Sequence, residues 1–144
     1  TDTSPPIIEE IGLFNNKRKI ISKNTVSGKH GIYIVAHDYI LHKSFKLTPY
    51  FISYSLDHGL EKTVWRFNFL PSMTNDLDYI HDFYLKKSCG NYSCRKFFIN
   101  LNFDTSSKQA TNYFELEKGP HTINVKVMDF AGNTNQKSFS YIVK

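Results

Sequence analysis

The chain is poor in the residues most chemistry needs. Two cysteines and one tryptophan occur in 144 residues. Cys89 and Cys94 alone cannot supply the roughly four ligands of a structural zinc site, and Cys89-Gly90-Asn91-Tyr92-Ser93-Cys94 lacks the Cys-x-x-Cys spacing of a redox pair. No run of about 18 apolar residues is present, so no segment reads as a membrane-spanning helix. None of the histidines, His30, His37, His42, His58, His81 and His121, falls in a His-x-His, His-x-x-x-Asp or His-Glu-x-x-His pattern. Gly-x-Ser-x-Gly is absent, and the glycines are scattered through turns without forming a phosphate cradle. These absences argue against zinc hydrolysis, serine hydrolysis and nucleotide chemistry, and no motif implies a metal or a cofactor.

What is present is aromatic and basic. Phe, Tyr and Trp make up 15% of the chain, suited to a β-rich core filled by flat rings and branched neighbours. Lys and Arg exceed Asp and Glu by 18 to 13, a net charge of +5 carried mostly by Lys. These cations are scattered singly, with one cluster at Lys17-Arg18-Lys19, which describes a solvated surface and not a nucleic-acid groove. An anionic envelope polymer or membrane surface is the better use of the same charge.

The length suits one domain, read as residues 7–144 and expected to be monomeric. Thr1 to Pro6 forms a linker edge, since Pro5 and Pro6 donate no ladder hydrogen bonds. A start at Thr1-Asp2-Thr3-Ser4-Pro5-Pro6 without Met is read as a piece of a longer protein whose targeting segment lies elsewhere.

Two-residue alternation recurs along the chain. Ile7 to Phe14 is a first strand, which Glu9 and Glu10 interrupt and mark as an edge; Ile20-Ile21 reads as its continuation after a bulge. Gly31 to Asp38, apolar on both faces, is a central strand. Thr48 to Asp57 and Lys62 to Phe69 form a hairpin around Asp57-His58-Gly59, with Trp65 inward and Arg66 outward. Arg95 to Phe103 and Asn112 to Glu117 are further strands. The clearest signal is the last: Ile123, Val125 and Val127 share one face, as do Phe139, Tyr141 and Val143 across the Asp129 to Asn133 turn. There Asp129 accepts backbone hydrogen bonds and Gly132 takes positive φ next to Asn133, a structural turn and not a site.

One segment departs from the pattern. In Thr74 to Lys87 the apolar Leu77, Ile80 and Tyr84 recur at spacings of three and four. Thr74 or Asn75 caps the start, Asp76 and Asp78 lie in the first turn and Lys86 and Lys87 in the last, so a short helix is predicted. Asp76, Asp78 and Asp82 on such a helix do not resemble a Gly-containing calcium loop. Between this helix and the next strand, Cys89 and Cys94 suit a small disulfide loop if the protein is exported. The expected fold is an all-β, immunoglobulin-like sandwich of about seven to nine strands with that one helix.

A resemblance spans nearly the whole chain. Pro5-Pro6-Ile7-Ile8, Gly31-Ile32-Tyr33-Ile34-Val35-Ala36-His37-Asp38, Thr48-Pro49-Tyr50 with Ser55-Leu56-Asp57, Asn75 to Tyr84, Lys96-Phe97-Phe98, and Gly119-Pro120-His121 through Asn133 together resemble the immunoglobulin-like accessory domain of bacterial M23 (LytM-like) cell-wall peptidases. In that family the catalytic zinc is held by His-x-x-x-Asp and His-x-His motifs of a separate domain, and neither motif is present here. The resemblance implies an exported, non-catalytic module of the periplasm or cell envelope, attached to a peptidase domain and positioning it on peptidoglycan. A surface adhesin or other ligand-binding module is the alternative. Tyr79, Lys87, Tyr92 and Arg95 are the candidate contact residues, because ring faces and cations suit sugars and anionic polymers.

Overall fold

The computed structural model describes residues 4–40, 45–66, 83–85, 98–104 and 109–144, the side chains of 39, 40 and 45–47 excepted. Two sheets are built from strands in crossed order. The first contains β1 (Ile7–Asn15), β2 (Ile20–Ile21), β4 (His30–Ile40), β5 (Phe45–Leu47), β8 (Tyr84–Leu85) and β9 (Phe98–Asn100), arranged β2-β1-β4-β9-β8 with β5 also on β4. The second contains β3 (Thr25–Val26), β6 (Phe51–Leu56), β7 (Lys62–Arg66), β12 (Gly119–Met128) and β13 (Thr134–Val143), arranged β3-β13-β12-β6-β7. β10 (Phe103–Asp104) and β11 (Gln109–Ala110) pair with each other. Partition of β1, β4, β8 and β9 to one sheet and β6, β12 and β13 to the other is the strand distribution of an immunoglobulin-like sandwich. The protein is all-β.

The core lies between the sheets. Ile32, Ile34 and Ile99 of the first sheet and Ile52, Ile123, Val125 and Val127 of the second are completely shielded from solvent. Each such aliphatic side chain stabilises the fold by about 1.5–3 kcal/mol through burial. Ile8 and Ile11, three positions apart, both enter this core because the β1–β4 register shifts between Ile8 and Glu10. That bulge is the physical meaning of the Glu9-Glu10 break in alternation.

A second apolar layer covers the far face of the first sheet, where Phe14, Tyr33, Val35, Leu85 and Phe98 pack together. Gly12 lies directly opposite Tyr33 and Gly31 directly opposite Phe14. Each ring lies across its partner glycine, occupying the space a Cβ would need. β4 is therefore buried on both faces, as its two-sided apolar pattern requires.

Several sequence expectations are corrected. β1 is not an outermost strand: the chain reverses at Asn15 to Lys19, and Ile20-Ile21 returns as β2 against Leu13 and Phe14. Asn112 to Glu117 makes no continuous strand and meets the first sheet through one bridge, Phe114 to His30. The helix over 74–87 does not extend to its expected end, since Tyr84–Leu85 pairs with β9. Tyr84 packs against the central core while Leu85 joins the outer layer, the opposite faces that successive strand residues take, so pairing with β9 overrides the helical spacing there. The remainder of that expected helix, 74–82 and 86–87, lies outside the described residues. Short pieces such as β2, β3, β10 and β11 raise the strand count above the expected seven to nine.

Candidate functional site

Strand alternation on β6, β12 and β13 sends apolar side chains inward and leaves a polar outer face. Ser53, Ser55, Thr122, Asn124, Lys126, Gln136, Ser138 and Ser140 occupy that face. Their short side chains bond across the strands. Thr122 and Ser140 hydroxyls meet at 3.0 Å, the Asn124 amide donates to Gln136 Oε1 at 3.0 Å, and the Ser138 hydroxyl donates to Asn124 Oδ1 at 3.2 Å. The Ser53 hydroxyl, fully buried, donates to Glu61. A depression of about 240 Å³ opens at this point, bordered by Ser55, Glu61, Asn124, Lys126 and Gln136. It offers hydroxyls, amides, one carboxylate and one ammonium.

The face changes character at one end. Phe51 pairs with Met128 on one side and Arg66 on the other, and the Arg66 guanidinium lies 5.0 Å from the Phe51 ring centre. Beside them Tyr50 meets Phe130 edge-on, centroids 5.4 Å apart at 89°. Phe130 is 74% exposed.

Its support is the turn between β12 and β13. Asp129, 1% exposed, accepts from the Asn133 backbone N–H at 2.8 Å and the Asn133 side-chain amide at 2.9 Å. The Gly132 N–H donates to the Asp129 carbonyl at 3.2 Å, and Gly132 adopts φ +94°. The turn that holds Asp129, Gly132 and Asn133 thus carries an apolar ring out into solvent on a fixed backbone.

Tyr79, Lys87, Tyr92 and Arg95, along with Cys89 and Cys94, lie outside the described residues. The contact candidates brought together here are Tyr50, Arg66, Lys126 and Phe130. Sequence reasoning missed them because each sits in a segment already explained as strand or turn; the signal was an aromatic inside a Gly-Asn turn, where polar residues are the norm.

At the opposite end of β12, His121 bridges two elements. Nδ1 lies 2.6 Å from Asp57 Oδ2 and Nε2 lies 2.6 Å from the Glu117 carbonyl. Asp57 also accepts the Thr122 N–H at 2.8 Å. The Asp57 hydrogen bond, then the Glu117 carbonyl, raise the His121 pKa against the opposing effect of burial. For Asp57, burial acts upward, but the His121 hydrogen bond, the Thr122 N–H and the charges of His121 and His58 prevail and lower the carboxyl.

No protein-family model, curated protein or solved structure matches this chain. Among the described residues, no three His, Cys, Asp or Glu side chains gather to hold a metal ion, and no helix is long and apolar enough to cross a membrane.

Proposed function

We propose that this chain is a non-catalytic binding module, the accessory domain of an exported M23-type cell-wall peptidase, and that it holds its parent on peptidoglycan through the outer face of β6, β12 and β13. The observation that carries this reading is the composition of that face: a hydroxyl and amide surface ending in the exposed Phe130 ring, which the half-buried Tyr50 ring meets edge-on. Hydroxyls and amides match the donors and acceptors of a glycan strand. An exposed ring gives a sugar an apolar face to stack on, and Lys126 and Arg66 add attraction for anionic polymer. The extended resemblance from Pro5 to Asn133 supports the cell-wall context.

Co-sedimentation with purified peptidoglycan tests the proposal. Retention of the chain is expected to fall about tenfold for the double variant Phe130→Ala, Lys126→Gln with the melting temperature held within a few degrees. Undiminished retention of the double variant, or no retention of the unaltered chain, would remove this face from the reading.

A further inference from the structure

A second concavity adjoins the depression of the outer face at Tyr54. A cleft of about 750 Å³ opens beside β7 and β10, walled by Tyr54, Leu56, Leu101, Phe103 and Phe114, with Lys62 at its rim. Its volume falls within the range of small-molecule sites, and its walls are mostly apolar, as such sites are.

Tyr54 distinguishes the cleft from a mere gap between sheets. The residue is 8% exposed and its ring meets Phe114 edge-on, centroids 5.9 Å apart at 84°. Buried tyrosines ordinarily bond their hydroxyl to a protein partner, as Tyr33 does to Glu10 and Tyr141 to His30. Among the described residues no protein group bonds to the Tyr54 hydroxyl, which is not sealed from solvent, and the residue lines the cleft. Burial raises the Tyr54 pKa, so the group stays a phenol and offers a proton.

Three charged residues line the cleft, Lys62, Asp104 and Glu115. Glu115 is engaged by Lys29 at 3.1 Å, and Asp104 has an interaction of its own. Among the described residues Lys62, which pairs across the strands with Tyr54, forms no ion pair, which leaves its ammonium available to a ligand.

We propose that the cleft is a binding site for a small amphipathic carboxylate, whose apolar body packs on Leu56, Leu101, Phe103 and Phe114 while its carboxylate oxygens accept from the Tyr54 hydroxyl and face the Lys62 ammonium. An apolar chain packs on the walls, a neutral phenol donates but cannot repel an anion, and one ammonium attracts the head group. This site shares Tyr54 with the depression on the polar face proposed to meet peptidoglycan and is otherwise lined by different residues, so the two are taken as separate sites.

Isothermal titration of the whole chain with decanoate, below its micelle threshold, tests the assignment. Saturable one-to-one binding is expected, weakened about fivefold by Tyr54→Phe and by a similar factor in Lys62→Gln. Decanol, with the same chain and no charge, binds more weakly than decanoate. Tyr54→Phe keeps the ring, and the hydroxyl has no protein partner to lose, so its melting temperature equals or slightly exceeds that of the unaltered chain. Absence of saturable binding, unaltered affinity in Tyr54→Phe, or equal affinity for decanol would each overturn the proposal. Loss of peptidoglycan retention in Tyr54→Phe would overturn the separation of the two sites.

Discussion

His121 holds Asp57 across the sheet, Nδ1 to Oδ2 at 2.6 Å, while its other ring nitrogen faces the Glu117 carbonyl at the same distance. Both oxygens are acceptors. A neutral imidazole has one N–H, so only the imidazolium satisfies both contacts. The pair therefore clamps the Asp57-His58-Gly59 turn, where Asp57 and His58 carry φ of 50° and 60°, to the start of β12.

The clamp gives stability a definite pH dependence. His121 has a folded pKa above its ordinary 6.5, so its contribution is complete below that value and disappears as pH rises through the raised folded value. Asp57 has a folded pKa below its ordinary 3.8, so its contribution is present above 3.8 and disappears as pH falls through the lowered value. Urea unfolding across pH should show the gap between the unaltered chain and His121→Gln widest between those limits and closing at alkaline pH. An NMR titration of His121 should place its midpoint above 6.5; a midpoint below would contradict the clamp.

His30 is the opposite case. It is wholly buried, with Nδ1 3.0 Å from the Gly28 carbonyl and Nε2 2.8 Å from the Tyr141 hydroxyl. Burial lowers its pKa, the Gly28 hydrogen bond notwithstanding, so a neutral ring donates from Nδ1 and accepts at Nε2. Tyr141→Phe leaves Nε2 without its donor and should cost about 1–3 kcal/mol in urea unfolding. A loss below about 0.5 kcal/mol would show that the bond is dispensable.

Glycine is required at 31 for a packing reason. A Cβ there would enter the Phe14 ring, which lies across the strand and is itself fully buried. Gly31→Ala should therefore destabilise by about 1–3 kcal/mol through overpacking. Adding Phe14→Leu, which vacates part of that space, should recover some of the loss relative to Phe14→Leu alone. Strict additivity in this double-mutant cycle would refute the collision.

Asp129 is the pedestal of Phe130. Asp129→Ala removes two acceptor contacts in a site 1% exposed and should cost about 1–3 kcal/mol. Phe130→Ala, altering an exposed ring, should stay within about 0.5 kcal/mol of the unaltered chain. Comparable losses in the two variants would mean that the ring and not the turn carries the stability.

The closing hairpin was legible from its residues because alternation over ten-residue strands leaves one register that buries Ile123, Val125, Val127, Tyr141 and Val143 together. The Asp129 to Asn133 turn was legible for a similar reason, since Asp, Gly and Asn suit positive φ and local hydrogen bonds. Tyr84 and Leu85 were misread because helical spacing describes which neighbours a residue could have, whereas pairing with β9 depends on a strand far along the chain.

The contact surface was hidden for the same reason. Tyr50 and Phe130 are distant in sequence, as are Lys126 and Glu61, and only the pairing of β6 with both β7 and β12 brings each set to one place. Alternation and turn chemistry, which act between near neighbours, were enough to determine an all-β chain with one face of each long strand buried. Which polar face meets solvent as a continuous surface, which tyrosine loses its partner, and which histidine must stay charged were decided by tertiary structure, because each depends on distances between residues that the local pattern does not connect.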